Sequence, residues 1–252
     1  MKRQPFQNLV VDHMTFLVEP RFYKVGYALF RVVFGAEQDD IIYNKRRTWP
    51  GTSEEVSMTY AARLGRYERK EGLDSSIMAV VQPTEPAGQP SHVRKILENR
   101  GGSAHWQHIA LRTPDLLAFH EHCLERGVNF ITPILKEEGE DLIQVFSGEW
   151  RLPGAAPSGI FFEFVQRDPD PEVLAKIEKR QVFFRDQTFL GLYQEKENEY
   201  QKGAVTPFID DALFEKIEKA LAPKKVWEIG PKELDAVESL MLDYARPRIA
   251  GR

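Results

Sequence analysis

Cysteine is almost absent from this sequence. Cys123 is the only one in 252 residues, so no disulfide can close within the chain, and a reducing, cytoplasmic setting is the expectation. No run of about 18 apolar residues occurs, so no helix is expected to cross a membrane. Residues 1–18 offer no secretory apolar core, because Asp12 and His13 interrupt it. Positive charge is not in surplus either. Lys and Arg number 34 against 38 Asp and Glu, a net charge of -4 with the two signs interspersed, so nothing marks a nucleic-acid surface. A nucleotide-binding glycine loop, a GxSxG elbow and a CxxC pair are all missing, and Gly101-Gly102 is too short to cradle a phosphate.

What remains is an ordinary globular composition, 42% hydrophobic and 29% charged, long enough for one large domain or two small ones. The organisation is duplicated. Residues 9–18 read as a strand bounded by Pro20, and 21–34 as a helix ending at Gly35. Strand-like segments follow at 41–43, 56–68 and 76–81, then the turn-rich 83–90 and a short helix at 91–99. The pattern restarts with a strand over 106–112 and a helix over 114–126 that stops at Gly127. Shorter β-rich pieces come at 128–131, 141–147 and 159–166. This is β-α-β-β-β written twice, an α+β arrangement of two modules that can pair around a cavity. The expected divisions are a first module over 1–100, a second over 101–167 and a helical extension over 168–252. Helices in the extension are expected near 172–184, 189–202, 210–221 and 231–244.

Each first strand carries a histidine, His13 and His108, and strand alternation gives each a defined face. Glu163 lies among Phe161, Phe162 and Phe164. A carboxylate there must be paired, for instance with Arg63 or Arg112, or protonated, or bound to a cation. Two neutral imidazoles and one carboxylate on one side of a divalent ion leave open positions, as in non-haem Fe(II) oxygenases. The other histidines read as structural or solvent-exposed. His105 sits on the opposite strand face from His108, His92 opens a short helix, and His120 and His122 are two apart on a helix. Cys123 reads as a buried apolar residue.

Five stretches carry a family resemblance: VDHMTF (11–16), GGSAHWQHIALRTPDLLAF (101–119), ERGVNFIT (125–132), LIQVF (142–146) and IFFEFVQR (160–167). Over roughly 8–203 the chain resembles the vicinal-oxygen-chelate (glyoxalase-like) superfamily and, within it, the catalytic half of the 4-hydroxyphenylpyruvate dioxygenase family. The resemblance implies paired βαβββ modules, an Fe(II) cofactor held by His13, His108 and Glu163, and an aromatic 2-oxo acid and dioxygen as substrates. It implies substrate contacts at Gln107, Gln144, Phe146 and Phe161, and at Ser57 and Thr84. It also implies a gating helix near 188–202 whose pocket-facing residue is Phe189. Such a protein decarboxylates its substrate oxidatively and hydroxylates it, acts on small molecules without nucleic acid or membrane, and is compatible with a homo-oligomer.

The departures from that pattern are specific. The family's N-terminal non-catalytic domain has no counterpart here, and Thr84 and Thr188 stand where the family has asparagines. Residues 204–252 have no counterpart either. Two other readings use the same fold. An extradiol ring-cleaving dioxygenase shares the triad, but its usual second-shell histidine and tyrosine are not matched. A non-catalytic protein that binds a small aromatic compound would not need the triad intact.

Overall fold

The computed structural model describes residues 4–49, 53, 55–65, 76–86, 88–136, 142–179 and 188–250, with the backbone alone at 43, 176–179 and 188–190. Contacts divide the chain into two compact units, Val11–Ala110 and Met1–Val10 together with Leu111–Arg252.

The Val11–Ala110 unit follows the first repeat. Strand β1 (Val10–Val18) leads into helix α1 (Pro20–Val32), then β2 (Ile41–Thr48), β3 (Glu55–Leu64) and β4 (Ser76–Val81). Helix α2 (His92–Asn99) then leads into β5 (Ala104–Arg112). The strand order here is β2-β3-β4-β1-β5. β1 and β4 run parallel from Met14↔Met78 to Leu17↔Val81, and β3 and β4 are antiparallel. Helix α1 starts at Pro20, where a missing N–H costs nothing, and buries Tyr23, Gly26 and Phe30 at intervals of three and four. Tyr23 and Phe30 meet Val18, Tyr60, Ala62 and Val80 in one apolar cluster, with the Phe30 and Tyr60 rings 5.9 Å apart at 83°. His92, the first residue of α2, is buried rather than solvent-exposed.

The second unit holds the end of β5 followed by helix α3 (Leu116–Glu125), β6 (Leu135–Lys136), β7 (Leu142–Phe146) and β8 (Phe161–Arg167). Four helices complete it: α4 (Pro171–Lys179), α5 (Thr188–Lys202), α6 (Asp211–Leu221) and α7 (Pro231–Ala250). The order of elements thus repeats β-α-β-β-β, then adds helices. Asp115 caps α3 by accepting the Ala118 N–H at 3.0 Å. The core under α3 consists of Leu116, Phe119, Cys123, Val128, Ile134, Ile143, Val145 and Phe164. Burial pushes the Cys123 thiol up to about 12, against a smaller opposing pull from Arg126. No described helix is long and apolar enough to cross a membrane.

Two expectations fail for physical reasons. Residues 128–131 are not a strand, because alternate residues bond to different partners. Asn129 N–H donates to the Phe208 carbonyl and Ile131 N–H to that of Phe146, both at 2.8 Å, so no ladder forms. Helix α7 continues past 244 to Ala250 despite Pro247, which costs a backbone bond only in the last turn. There Arg248 is held by Asp210 at 2.5 Å. Of the strand expected over 56–68 and the helix over 172–184, residues 66–68 and 180–184 lie outside those described.

The segment 204–208 packs closely on the residues that follow β7. Glu149 N–H donates to the Thr206 carbonyl at 2.8 Å, and Phe208 N–H to the Glu149 carbonyl at 2.7 Å. A side chain at Gly148 would place its Cβ 2.2 Å from the Pro207 carbonyl oxygen, so only glycine fits.

Phe30→Ala is expected to lower stability by about 3 kcal/mol, measured from urea unfolding midpoints. Cys123 should resist iodoacetamide at pH 8 in the folded protein, because its thiol stays protonated and buried, and should take up one equivalent once urea unfolds the chain.

Candidate metal centre

Strands β1 and β5 bring two histidines together within the Val11–Ala110 unit. The His13 and His108 ring centroids are 5.7 Å apart, with the ring planes at 80°. His108 is buried and His13 half-buried. Asp12 lies beside His13, with Oδ1 3.0 Å from Nδ1. With the carboxylate as acceptor, Nδ1 carries the hydrogen and Nε2 presents its lone pair, the orientation that metal-binding imidazoles take from a neighbouring carboxylate.

In the other unit, pairing of β7 with β8 builds one chemically mixed face. Phe146 stands opposite Glu163, and Gln144 opposite Val165. Cross-strand partners share a face, and Phe161, two residues before Glu163, shares it too. The Phe146 and Phe161 rings meet edge to face at 6.2 Å, and Leu135 and Leu192 complete their apolar cluster. Phe162 and Phe164 point to the other side, toward the core under α3. Glu163 is only 2% exposed, so its charge must be countered locally or removed by a proton.

The remaining predicted residues take varied positions. Gln144 and Gln107 are buried, and Gln107 Oε1 has no hydrogen-bond partner among the described residues. Thr84, just beyond β4, is buried in the same condition at Oγ1. The Ser57 hydroxyl lies 2.8 Å from that of Tyr23 and donates to Asn44 Oδ1 at 3.2 Å. The Ser57 carbonyl accepts from Gln82 Nε2 at 2.6 Å. Burial pushes the Tyr23 phenol up to about 12, an effect the Ser57 hydrogen bond partly opposes. Phe189 is part of α5, and its side chain lies outside those described.

Sequence reasoning missed a buried ionic cluster beside this face. Lys196 of α5 is 1% exposed and Glu149 is fully buried, with Nζ 2.6 Å from Oε1. Glu199 Oε2 lies 2.8 Å from the same Nζ, and the Tyr200 hydroxyl donates to Glu149 Oε1 at 3.0 Å. The signal was present. Leu192, Tyr193, Lys196 and Tyr200 recur at helical spacing, a lysine inside an otherwise apolar stripe.

No protein-family model matches this chain, and no curated protein matches it. Among solved structures, a triple mutant of 4-hydroxymandelate synthase from Streptomyces coelicolor is similar, with a TM-score of 0.52 and 15% identity. The match covers 76% of this chain and 54% of that one, so the chain spans about half the length of the synthase. Methylmalonyl-CoA epimerase from Streptomyces coelicolor matches at 21% identity and a TM-score of 0.40, over 63% of this chain and 97% of its own. The Mycobacterium tuberculosis epimerase matches at 18% identity and 0.40, over 66% and 91%. The first likeness fixes the fold. The chain has the vicinal-oxygen-chelate fold, α+β with paired βαβββ modules followed by helices.

Two buried polar atoms without partners among the described residues, on Thr84 and Gln107, cost the fold something and gain it nothing. Thr84→Val should therefore leave stability within about 1 kcal/mol of wild type or raise it, as read from urea unfolding.

Proposed function

We propose that this chain is an Fe(II)-dependent dioxygenase acting on an aromatic 2-oxo acid resembling 4-hydroxyphenylpyruvate, with His13, His108 and Glu163 as the metal ligands. One observation carries the reading. A ligand atom from each of these three residues lies within 4.8 Å of the others. The donor set fits the ion, since two imidazoles and one carboxylate are the ligands of non-haem Fe(II) oxygenases. A bound divalent cation would also face the buried Glu163 carboxylate with a positive charge.

The chain's own residues would divide the work. Asp12 orients the His13 ring and fixes its hydrogen on Nδ1. Phe146 and Phe161 supply a dry aromatic wall for the substrate ring. Gln144 and Gln107, with Thr84, offer buried polar atoms for its polar substituents. Helix α5 covers the wall through Leu192, and Phe189 in its first turn is the family's gating position. The bound iron would supply open coordination positions for the keto and carboxylate oxygens of the substrate and the electrons for dioxygen chemistry.

Anaerobic titration with Fe(II), followed by oxygen uptake and carbon dioxide release with 4-hydroxyphenylpyruvate and its analogues, tests the assignment. One ion per chain is expected, with release of carbon dioxide matched to oxygen consumed. His13→Ala, His108→Ala and Glu163→Ala should each weaken binding by about 100-fold or more, and Asp12→Asn by about tenfold. Tight stoichiometric binding that survives Glu163→Ala would sink the proposal. Ring cleavage of a catechol, with no reaction of any arylpyruvate, would replace the substrate assignment.

A further inference from the structure

We propose that Lys196 is a positioning residue, clamped between Glu149 and Glu199 so that α5 is fixed against the Phe146–Phe161 wall and sets the closed width of the substrate pocket. The reference to substrate rests on the function proposed above.

A lysine at this position is an expensive way to fill space. Its ammonium and the Glu149 carboxylate are both removed from water, and a buried ion pair repays its desolvation poorly compared with apolar residues of like volume. What it supplies instead is registration. Leu192, Lys196 and Tyr200 lie four residues apart on one face of α5. Leu192 reaches the apolar cluster of Leu135, Phe146 and Phe161. Lys196 reaches Glu149 at 2.6 Å and Glu199 at 2.8 Å, and Tyr200 reaches the same Glu149 oxygen at 3.0 Å. A slip of α5 by one residue would break all three contacts together.

The anchor is itself anchored. Glu149 Oε2 accepts the Gly159 N–H at 2.9 Å, so one carboxylate ties both ends of the connection between β7 and β8. Two residues beyond Gly159 comes Phe161, and two more bring Glu163. Glu199 Oε1 accepts the Thr206 N–H at 3.1 Å, which joins the 204–208 segment to the same cluster. Lys196 Nζ also lies 5.6 Å from the centre of the Phe161 ring and 5.2 Å from that of Tyr200, within cation–π range. Lys196 therefore acts on the wall twice, by holding α5 over it and by holding one of its rings.

Hydrogen–deuterium exchange of the full chain, read by peptide mass spectrometry, tests the clamp without any turnover. Lys196→Met should speed exchange in 191–202 by about tenfold or more while the β7 and β8 amides keep their protection. The double variant Lys196→Met/Glu149→Gln should exchange no faster than Lys196→Met alone, because both changes remove the same interaction. In the iron-loaded enzyme, Lys196→Met should raise KM for 4-hydroxyphenylpyruvate about tenfold with kcat held within about threefold. Lys196→Arg should restore both readouts. If Lys196→Met does not fold, Glu149→Gln, which keeps the shape of the side chain, takes its place. Unchanged α5 exchange overturns the proposal, and so does faster exchange with KM unmoved. A wild-type protein that turns over no arylpyruvate overturns the function assignment instead, and the clamp then stands or falls on exchange alone.

Discussion

A carboxylate buried between phenylalanine rings is the constraint around which the second half of this protein is arranged. A charged Glu163 on that face needs a counter-charge, and a protonated one fills a place where apolar residues pack better. The strand pairing that buries it is equally demanding. Phe146 stands directly opposite, so a shift of register by one residue would send Glu163 into the core under α3 and bring Phe164 or Phe162 to the pocket side. The chain tolerates no such shift, because the residues on both faces are large and differ in kind.

The last two helices are tied to α3 and to the residues around it. Asn129 donates through Nδ2 to the Pro207 carbonyl and to Asp210, each at 3.0 Å, while Tyr244 and Arg248 converge on the other Asp210 oxygen. Arg126, the residue after α3, pairs with Glu238 of α7. Residues 204–252 are thus joined to α3 and to the connection between β7 and β8. Their link to α5 runs through the Thr206 N–H, which donates to Glu199 Oε1 at 3.1 Å.

Much of this was readable from sequence where a local rule governs. The period of two on the first strands singled out His13 and His108, and the charge inside FFEF singled out Glu163, because alternation is a property of the backbone alone. Helix starts at Pro20 and Asp115 and the stop at Gly127 follow from local donors and dihedral angles in the same way. What escaped depends on distant partners. The failed strand at 128–131 is decided by Phe208, some 80 residues away, and the Lys196–Glu149 pair spans 47 positions. Neither partner leaves a mark on the other's neighbourhood. A lysine within an apolar stripe announces that a partner is needed but does not say which glutamate answers.

The buried polar groups fall into two kinds, and the difference bears on what each is for. Glu149 accepts three donors and Lys196 meets two carboxylates, so their polarity is spent inside the protein and contributes order. Thr84 Oγ1 and Gln107 Oε1 are equally hidden from water but have no partner among the described residues. Selection for stability alone would replace such groups with apolar ones, since each costs on the order of 1–3 kcal/mol when left unmade. On the function proposed above, these two open groups would meet the polar substituents of the bound molecule. Substitution at Thr84 should accordingly spare the fold and fall on affinity, whereas substitution at Lys196 should disturb the order of α5 first and affinity only through it.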